Sequence, residues 1–334
     1  MTAANRRENA AVGSIAHRHN PDPMPTLAII LPAYNEEATV AAVIRVFHET
    51  LPEAAIFVVD NNCTDATAQV AARELESLGC AGRVIGETRQ GKGNAVRRAF
   101  LEVDADAYLL VDADLTYPAS RARDLLAPVL EGRADMVVGD RRSGGDYARE
   151  NKRRLHGFGN RLVGGLIKTF FRCEVRDTMS GYRALSRQFV KNYPILVERF
   201  ELETDITLHA LDKRFRILEM PVAYVDRPTG SESKLNTVVD GARVLFTILQ
   251  ILRYYRPLAF FSTLAAVSIL LGLVAGFPVL DDWVRHRYIF HVPLAILAAA
   301  LEILGALMVS VGLVLDSIAH QQRMSYELRL LSRE

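Results

Sequence analysis

The stretch VDADLTYP, from Val111 to Pro118, places two aspartates one residue apart at the end of the apolar run AYLLV. In extended backbone, side chains at i and i+2 point the same way, so the carboxylates of Asp112 and Asp114 repel unless a cation lies between them. A hard divalent ion suits that arrangement, because Mg²⁺ takes one or two carboxylates and fills its shell with water and substrate phosphates. Aspartates also occur in solvated turns after strands, so the pair alone does not decide between the two readings. Two further apolar runs end in LPAYNEE, Leu31 to Glu37, and VVDNNCTDAT, Val58 to Thr67. Asp60 or Asn61 could hydrogen-bond a nucleotide base, and Tyr34 could stack on it or lie beneath it. Asn35 suits an N-cap, and Asp65 reads as a helix cap in preference to a ligand contact. RQGKGNA, Arg89 to Ala95, adds a glycine-rich turn with Lys92 at a helix start. It lacks the full P-loop spacing and is no Walker site.

Positioning these groups requires strands that end at a common edge. The runs LAIIL, AIFVVD, GRVIG, AYLLVD and DMVVG alternate with the amphipathic stretches EEATVAAVIRVFHETL, ATAQVAARELESL, RQGKGNAVRRAFLEV and RARDLLAPVLEG. This alternation predicts an α/β fold, Rossmann-like, with a mostly parallel sheet and helices on both faces. Ligands of such sheets bind beyond the carboxyl ends of the strands. Residues 140–181 are rich in Gly and Arg and are expected to be irregular; two helical patterns and a strand-like FRILEMPVAYV follow.

Two apolar runs lie near the C-terminus, LAFFSTLAAVSILLGLVAGFPVL from Leu258 and VPLAILAAALEILGALMVSVGLVL from Val292. Each is about the ~20 residues that cross a bilayer core as a helix, which predicts a transmembrane hairpin. KLNTVVDGARVLFTILQILRYYRP reads as an amphipathic helix lying in the membrane interface. Arg243, Arg253 and Arg256 precede the first span and Arg323, Arg329 and Arg333 follow the second, against Asp281, Asp282, Arg285 and Arg287 between them. That bias puts the N-terminal body and both termini in the cytoplasm. The expected divisions are a disordered tail at 1–25, a catalytic domain at 26–232, an interfacial helix at 233–257, a hairpin at 258–317 with spans of 258–280 and 292–315, and a tail at 318–334. Glu302 inside the second span is costly unless paired, and contact with an interfacial Arg or a second subunit is expected. The G-x-x-x-G step Gly272–Gly276 allows close helix packing within the hairpin or in a homo-oligomer. The 334 residues carry a formal charge of +1, which gives no support for nucleic-acid binding, and Cys63, Cys80 and Cys173 share no metal-ligand spacing. They read as reduced thiols.

PAYNE, GKGNA, DADLTYP, VVGDRR, RDTMSGYRALSR and DRPTGSESKLN occur in that order over residues 26–257. Together they resemble the inverting family 2 glycosyltransferases with the GT-A fold. More narrowly, they resemble the polyprenyl-phosphate branch that includes dolichol-phosphate mannose synthase and the bacterial undecaprenyl-phosphate glucosyltransferases. The resemblance implies that Pro32, Tyr34, Glu36 and Asp60 contact the nucleotide, with Asn61 and Lys92 in the same donor region. It implies that Asp112 and Asp114, with Ala113 between them, hold Mg²⁺ or Mn²⁺ and the donor diphosphate. Arg141, Arg227 and Lys234 would surround the diphosphate and the acceptor phosphate, with Arg153 a further acceptor-phosphate candidate. Asp177 would lie on the acceptor side, and Asp114, Asp177 and Arg141 would carry catalysis. The chain departs from the family's pattern at DNNC, where Asp-Asp-Gly-Ser is usual, and at Thr116, where Gln is common.

The implied reaction moves a sugar from a nucleotide donor to polyprenyl phosphate at the cytoplasmic face of the inner membrane. Cations stabilise the departing diphosphate as an oxocarbenium-like centre forms. An anionic lipid phosphate needs no general base, and arginines such as those in DRRSGGDYARENKRR align it; the same run would also be attracted to anionic lipid. Two spans are too few to flip the product, so a separate flippase is expected. A glycosyltransferase extending a lipid-diphosphate-linked sugar would need a base, with Asp177 or Glu203 the candidates. FELETD, Phe200 to Asp205, equally suits a helix start with favourable acidic residues. A sugar-1-phosphate transferase, or a membrane scaffold with a degenerate nucleotide site, completes the alternatives. QILRY, Gln250 to Tyr254, resembles the Q-x-x-R-W signature of processive synthases and is read as chance in a chain with two spans.

Overall fold

The computed structural model of the chain describes residues 25–143, 165, 175–197, 202–223, 249–250 and 253–331. The apolar runs become strands β1 Leu27–Ala33, β2 Ala55–Asp60, β3 Gly82–Gly86, β4 Ala107–Leu110 and β5 Met136–Asp140, joined by β6 Arg183–Ser186 and β7 Ile217–Pro221. They form one seven-stranded sheet in the order β3-β2-β1-β4-β6-β5-β7. All neighbouring pairs are parallel except those made by β6, which runs antiparallel to β4 and β5. The mostly parallel sheet is as expected. β6 is the strand the sequence did not announce, because four residues, RALS, are too few to display an alternation.

Helices α1 Val40–Thr50, α2 Thr67–Ser77 and α4 Ala122–Leu130 cover one face, and α3 Lys92–Glu102, α5 Arg187–Asn192 and α6 Leu202–Asp212 cover the other. Ile29 and Leu31 of β1 point to the first layer, Ala28 and Ile30 to the second, and all four are buried. Burial on both faces explains why the strands read as continuous apolar runs. Each such Ile or Leu contributes roughly 1.5–3 kcal/mol.

Strand direction then decides what gathers at one edge. Ala33 of β1 is in register with Asp60 of β2, and the N–H of Val111 extends the β4 pairing by donating to Ile30 O at 3.1 Å. Because β6 is antiparallel, it begins where β4 and β5 end, with Arg183 opposite both Leu110 and Val138. The segments holding Asp112, Arg141 and Asp177 therefore emerge side by side.

Helices α7 Pro257–His286 and α8 Val292–Leu331, of 30 and 40 residues, are long and apolar enough to cross a membrane. At 1.5 Å per residue they measure about 45 Å and about 60 Å, so α8 exceeds a ~30 Å hydrocarbon core. The segment expected as a tail after residue 317 continues this helix to Leu331 and docks on α6. Arg323 Nε donates to Asp212 Oδ1 at 2.7 Å, and Tyr326 is buried beside Phe215 with Lys213 5.3 Å above its ring. Just before α7, the Tyr255 hydroxyl donates to Asp205 Oδ1 at 3.0 Å, and Arg323 Nη2 donates to Tyr255 O at 3.2 Å. Both open ends of the hairpin are thus fastened to α6. Inside it, Gly272 and Gly276 face Ala298, a Cβ on Gly305 would lie 2.6 Å from Ile269 Cγ1, and Ser268 Oγ donates to Leu301 O at 2.8 Å. The small residues let α7 and α8 pack on each other. Glu302 Oε1 is buried against Gly272, and among the described residues neither an arginine nor any other group hydrogen-bonds it.

Candidate active site

The loop after β4 is held from both sides. Asp112 keeps 28% of its side chain exposed, whereas Asp114 is buried. Leu115 adopts a left-handed φ of 61°, a conformation that costs a bulky residue roughly 1–3 kcal/mol and persists only where surrounding contacts impose it. Those contacts are two buried hydroxyls. Thr39 Oγ1 donates to Ala113 O at 2.7 Å, and Thr116 Oγ1 donates to Asp114 Oδ1 at 2.5 Å, with the Thr116 N–H adding a bond at 3.2 Å. Thr116 thus uses its hydroxyl to orient Asp114. Thr39, at the start of α1, carries no motif and was not singled out from the sequence.

Lys92 reaches the same loop from the glycine-rich turn. Gly91 takes φ 136°, a conformation open to glycine, and its N–H donates to Asn61 Oδ1 at 2.6 Å. Asn61 Nδ2 donates to Arg89 O at 2.8 Å. Both ends of the Asn61 amide therefore take part in shaping the turn. At the first residue of α3, Lys92 Nζ bonds Asp112 Oδ1 and, at 2.5 Å, Glu203 Oε1. Burial opposes the lysine's charge, but the two carboxylates outweigh it and hold the ammonium protonated well above the ordinary lysine range. Glu203 lies in the first turn of α6, as the helix-start reading of FELETD requires, yet it is buried and faces the site.

Arg141 and Asp177 form a buried ion pair next to this cluster. Nε to Oδ2 measures 2.8 Å and Nη2 to Oδ1 measures 2.9 Å. Burial raises the Asp177 pKa, but hydrogen bonds and charge from Arg141 prevail and leave it below the usual carboxylate range. The loop between Asp177 and β6 rests on Arg183, fully buried, which donates to Thr178 O and Ser180 O at 2.9 and 2.8 Å and to Thr207 Oγ1 at 2.9 Å. The loop brings Gly181 against Asp112, where a Cβ would stand 2.6 Å from Oδ2, and the Gly181 N–H donates to Tyr117 Oη at 2.9 Å. Burial raises the Tyr117 pKa, so its phenol stays protonated. Arg183 and Tyr117 were missed from the sequence, although both stand inside the motifs GYR and DLTYP.

At the neighbouring strand ends, the side chains hold loops together. Asn35 takes φ 54° and accepts from the Thr64 N–H at 2.8 Å, while α1 starts at Val40 with Thr39 as N-cap, so Asn35 is not that cap. Asp65 stands one residue before Ala66, the N-cap of α2, and accepts from the N–H of the first helical residue, Thr67, at 3.0 Å and from its hydroxyl at 2.5 Å, so it steadies the helix start without being the cap. Glu36 accepts from Thr39 Oγ1 at 3.2 Å, and Asp60 Oδ1 accepts from the Cys63 N–H at 3.0 Å. Burial first, and Asp60 second, push the Cys63 thiol up to about 11, so it stays protonated. Pro32 pairs with Val59 inside the sheet, and Tyr34 follows at its edge. Arg153, Arg227, Lys234, Cys173 and most of the expected interfacial helix lie outside the described residues.

The donor set is compatible with a hard cation. Asp112 and Asp114 supply carboxylate oxygens, and among the described residues no group of three or more His, Cys, Asp or Glu side chains forms a closed metal cage. A Mg²⁺ or Mn²⁺ ion here would complete its shell with water and phosphate oxygens.

Residues 28–193 match the family described as Glycosyl transferase family 2. Glycosyltransferase AglJ of Haloferax volcanii is 30% identical over 307 residues, covering 90% of this chain and 98% of that protein. The dolichyl-phosphate hexose transferase of the same organism is 28% identical over 225 residues, 67% of this chain and 93% of its own. Among solved structures, Mycobacterium tuberculosis glucosyl-3-phosphoglycerate synthase superposes with a TM-score of 0.54 at 22% identity, over 68% of this chain and 81% of that one. The last likeness concerns the fold, which is of the GT-A type. With the paired aspartates at the carboxyl edge of that fold and a full-length relative at this identity, the chain belongs to glycosyl transferase family 2 and is a glycosyltransferase.

Proposed function

We propose that the protein transfers a sugar from a nucleoside-diphosphate donor to a polyprenyl phosphate, with inversion, at the cytoplasmic face of the membrane. The observation that carries this reading is the attachment of the hairpin. Tyr255 before α7 and Arg323 near the end of α8 both bind α6, the helix whose first turn sends Glu203 to the paired-aspartate loop. A site tied in this way to the open end of a membrane hairpin is suited to an acceptor whose phosphate lies at the bilayer surface. The relative named a dolichyl-phosphate hexose transferase supports the same acceptor chemistry. The arginine bias around the spans supports a cytoplasmic body with both termini on that side.

In this reading Asp112 and Asp114 hold Mg²⁺ or Mn²⁺, which supplies positive charge to the donor diphosphate as it departs. The mycobacterial structural neighbour has been solved with Mn²⁺ and UDP-glucose, in keeping with that assignment. Pro32, Tyr34, Glu36 and Asp60 border the nucleotide, Asn61 acts through the turn it shapes, and Ala113 and Lys92 flank the diphosphate. Arg141 serves the acceptor phosphate and Asp177 orients it; the family resemblance extends the acceptor-phosphate role to Arg153 and Lys234 and gives Arg227 and Lys234 a part in binding the donor. A phosphate acceptor arrives already ionised and needs no base. A hydroxyl acceptor would need one, but Glu203 is paired with Lys92, and Asp177 is paired with Arg141 and held below the usual carboxylate range, which makes it a poor base. These pairings favour the lipid-phosphate reading.

The test is donor turnover by purified full-length protein in detergent, given undecaprenyl phosphate, Mg²⁺ or Mn²⁺ and a panel of UDP- and GDP-sugars. Release of nucleoside diphosphate with a monophosphate-linked glycolipid is expected. Nucleoside monophosphate would move the protein to the sugar-phosphate transferases. Nucleotide binding without turnover would favour a hydroxyl acceptor or a scaffold.

A further inference from the structure

The ammonium of Lys92 lies between two carboxylates that belong to different parts of the chain, Asp112 after β4 and Glu203 at the start of α6. Its side chain is only 12% exposed and that of Glu203 only 8%, so solvent screens the arrangement weakly. Gly181 lies against this contact, since a Cβ there would stand 2.6 Å from Asp112 Oδ2 and 3.0 Å from Lys92 Nζ. Among the described residues of this cluster, Asp112, Asp114, Asp177 and Glu203 supply carboxylates and Lys92, Arg141 and Arg183 supply cations. Glu203 is the one carboxylate of the four whose described partner, Lys92, is simultaneously bound to a paired aspartate.

We propose that Lys92 and Glu203 set the affinity of the paired-aspartate site for its divalent cation: Lys92 competes for Asp112, and Glu203 draws the ammonium away from it. Glu203 is then a positioning residue that keeps Asp112 available, with no proton to abstract. The proposal rests on the reading of Asp112 and Asp114 as the cation's ligands.

Removing the Glu203 charge leaves Lys92 with Asp112 alone and takes one negative charge from the pocket, and both effects oppose cation binding. Removing the Lys92 charge does the reverse. Removing both restores the balance. For unit charges a few ångströms apart at a protein-like dielectric, each single change is expected to move the dissociation constant by roughly tenfold or more.

The experiment is Mn²⁺ titration of the full-length protein in detergent, without donor, followed by the electron paramagnetic resonance signal of free Mn²⁺. Glu203→Gln should bind roughly tenfold more weakly than wild type, Lys92→Gln more tightly, and the double variant close to wild type, opposite shifts that cancel and that a general loss of structure would not produce. Glu203→Asp, which keeps the charge, should stay near wild type and decides the matter if Lys92→Gln does not fold. Unchanged Mn²⁺ affinity in Glu203→Gln overturns the proposal, and if turnover is lost at the same time Glu203 is a base. Weaker binding by folded Lys92→Gln overturns it too, since Lys92 would then be organising Asp112. Wild-type protein that binds no Mn²⁺ overturns the cation reading of Asp112 and Asp114 itself, a result distinct from unchanged affinity in the variants.

Discussion

Arg141 and Asp177, 36 positions apart in the chain, meet side by side as a two-pronged buried ion pair, with the Arg141 N–H adding a third bond to Asp177 Oδ2 at 3.2 Å. The pair joins the end of β5 to the loop before β6, so it sets the distance between the two segments that flank Asp112. Asp177→Asn leaves the guanidinium buried opposite a neutral amide and is expected to destabilise the protein by about 3 kcal/mol. Arg141→Lys keeps the charge but loses the fork, and should also melt earlier. Thermal unfolding in detergent checks both, and an unchanged midpoint would mean that the pair does not hold these segments together.

Gly181→Ala tests the packing against Asp112. The added methyl would stand 2.6 Å from Oδ2, and the carboxylate can escape only by rotating off Lys92. Global stability should change little, because the atom that must move is at the end of a side chain. Turnover should fall by about tenfold or more, as expected when a reacting group is displaced by a fraction of an ångström. Activity close to wild type would show that the placement of Asp112 is not critical.

Docking of α8 on α6 predicts coupling between Arg323 and Asp212. Arg323→Gln and Asp212→Asn should each cost roughly 1–2 kcal/mol, and the double variant less than their sum. Proteolysis of the C-terminal segment should speed up in the same variants. Additive effects would indicate that the two side chains stabilise the protein independently.

His209 gives a pH dependence with a defined sign. Its ring lies among Phe189, Tyr193 and Phe215 with centroid distances of 5.9, 5.0 and 6.1 Å, and its Nε2 has no hydrogen-bond partner among the described residues. Burial, with Lys213 adding repulsion, lowers its pKa to about 4 from the usual 6.5. The unfolded chain therefore takes up a proton that the native state refuses. Stability from this residue is complete above about pH 6.5 and is lost as the pH falls towards about 4, by roughly 3 kcal/mol in full. Asp205 works the other way, since burial raises its pKa and lets the native state take up a proton early. Comparing His209→Leu with wild type isolates the histidine: the difference in unfolding midpoint should widen in favour of the variant between pH 7.5 and pH 5. A constant difference would show that the ring is protonated in the native state.

Much of the fold was legible because it depends on local pattern. AIFVVD and GRVIG coincide with β2 and β3, the amphipathic stretches between strands became the helices, and the long apolar runs became α7 and α8. The polar strand ends, with Asp112 and Asp114 among them, could be placed at one edge since parallel strands joined by helices all finish on the same side. The strand RALS left no such trace, and neither did the continuation of α8 beyond the apolar run, because the residues that dock it, Arg323 and Tyr326, meet partners more than a hundred positions away in the chain.

The sequence by itself determined most of the elements, the family and most of the residues able to do chemistry, since periodicity and motif spacing are properties of neighbours along the chain. Only the tertiary structure decided which of those residues touch. Lys92 meets Asp112 and Glu203 across 20 and 111 positions, Arg141 meets Asp177 across 36, and Asn61 turns its amide to the glycine-rich turn. These contacts follow from the order 3-2-1-4-6-5-7 and from the reversed direction of β6. Strand order is set by how whole faces bury against one another, and no local stretch of residues encodes it.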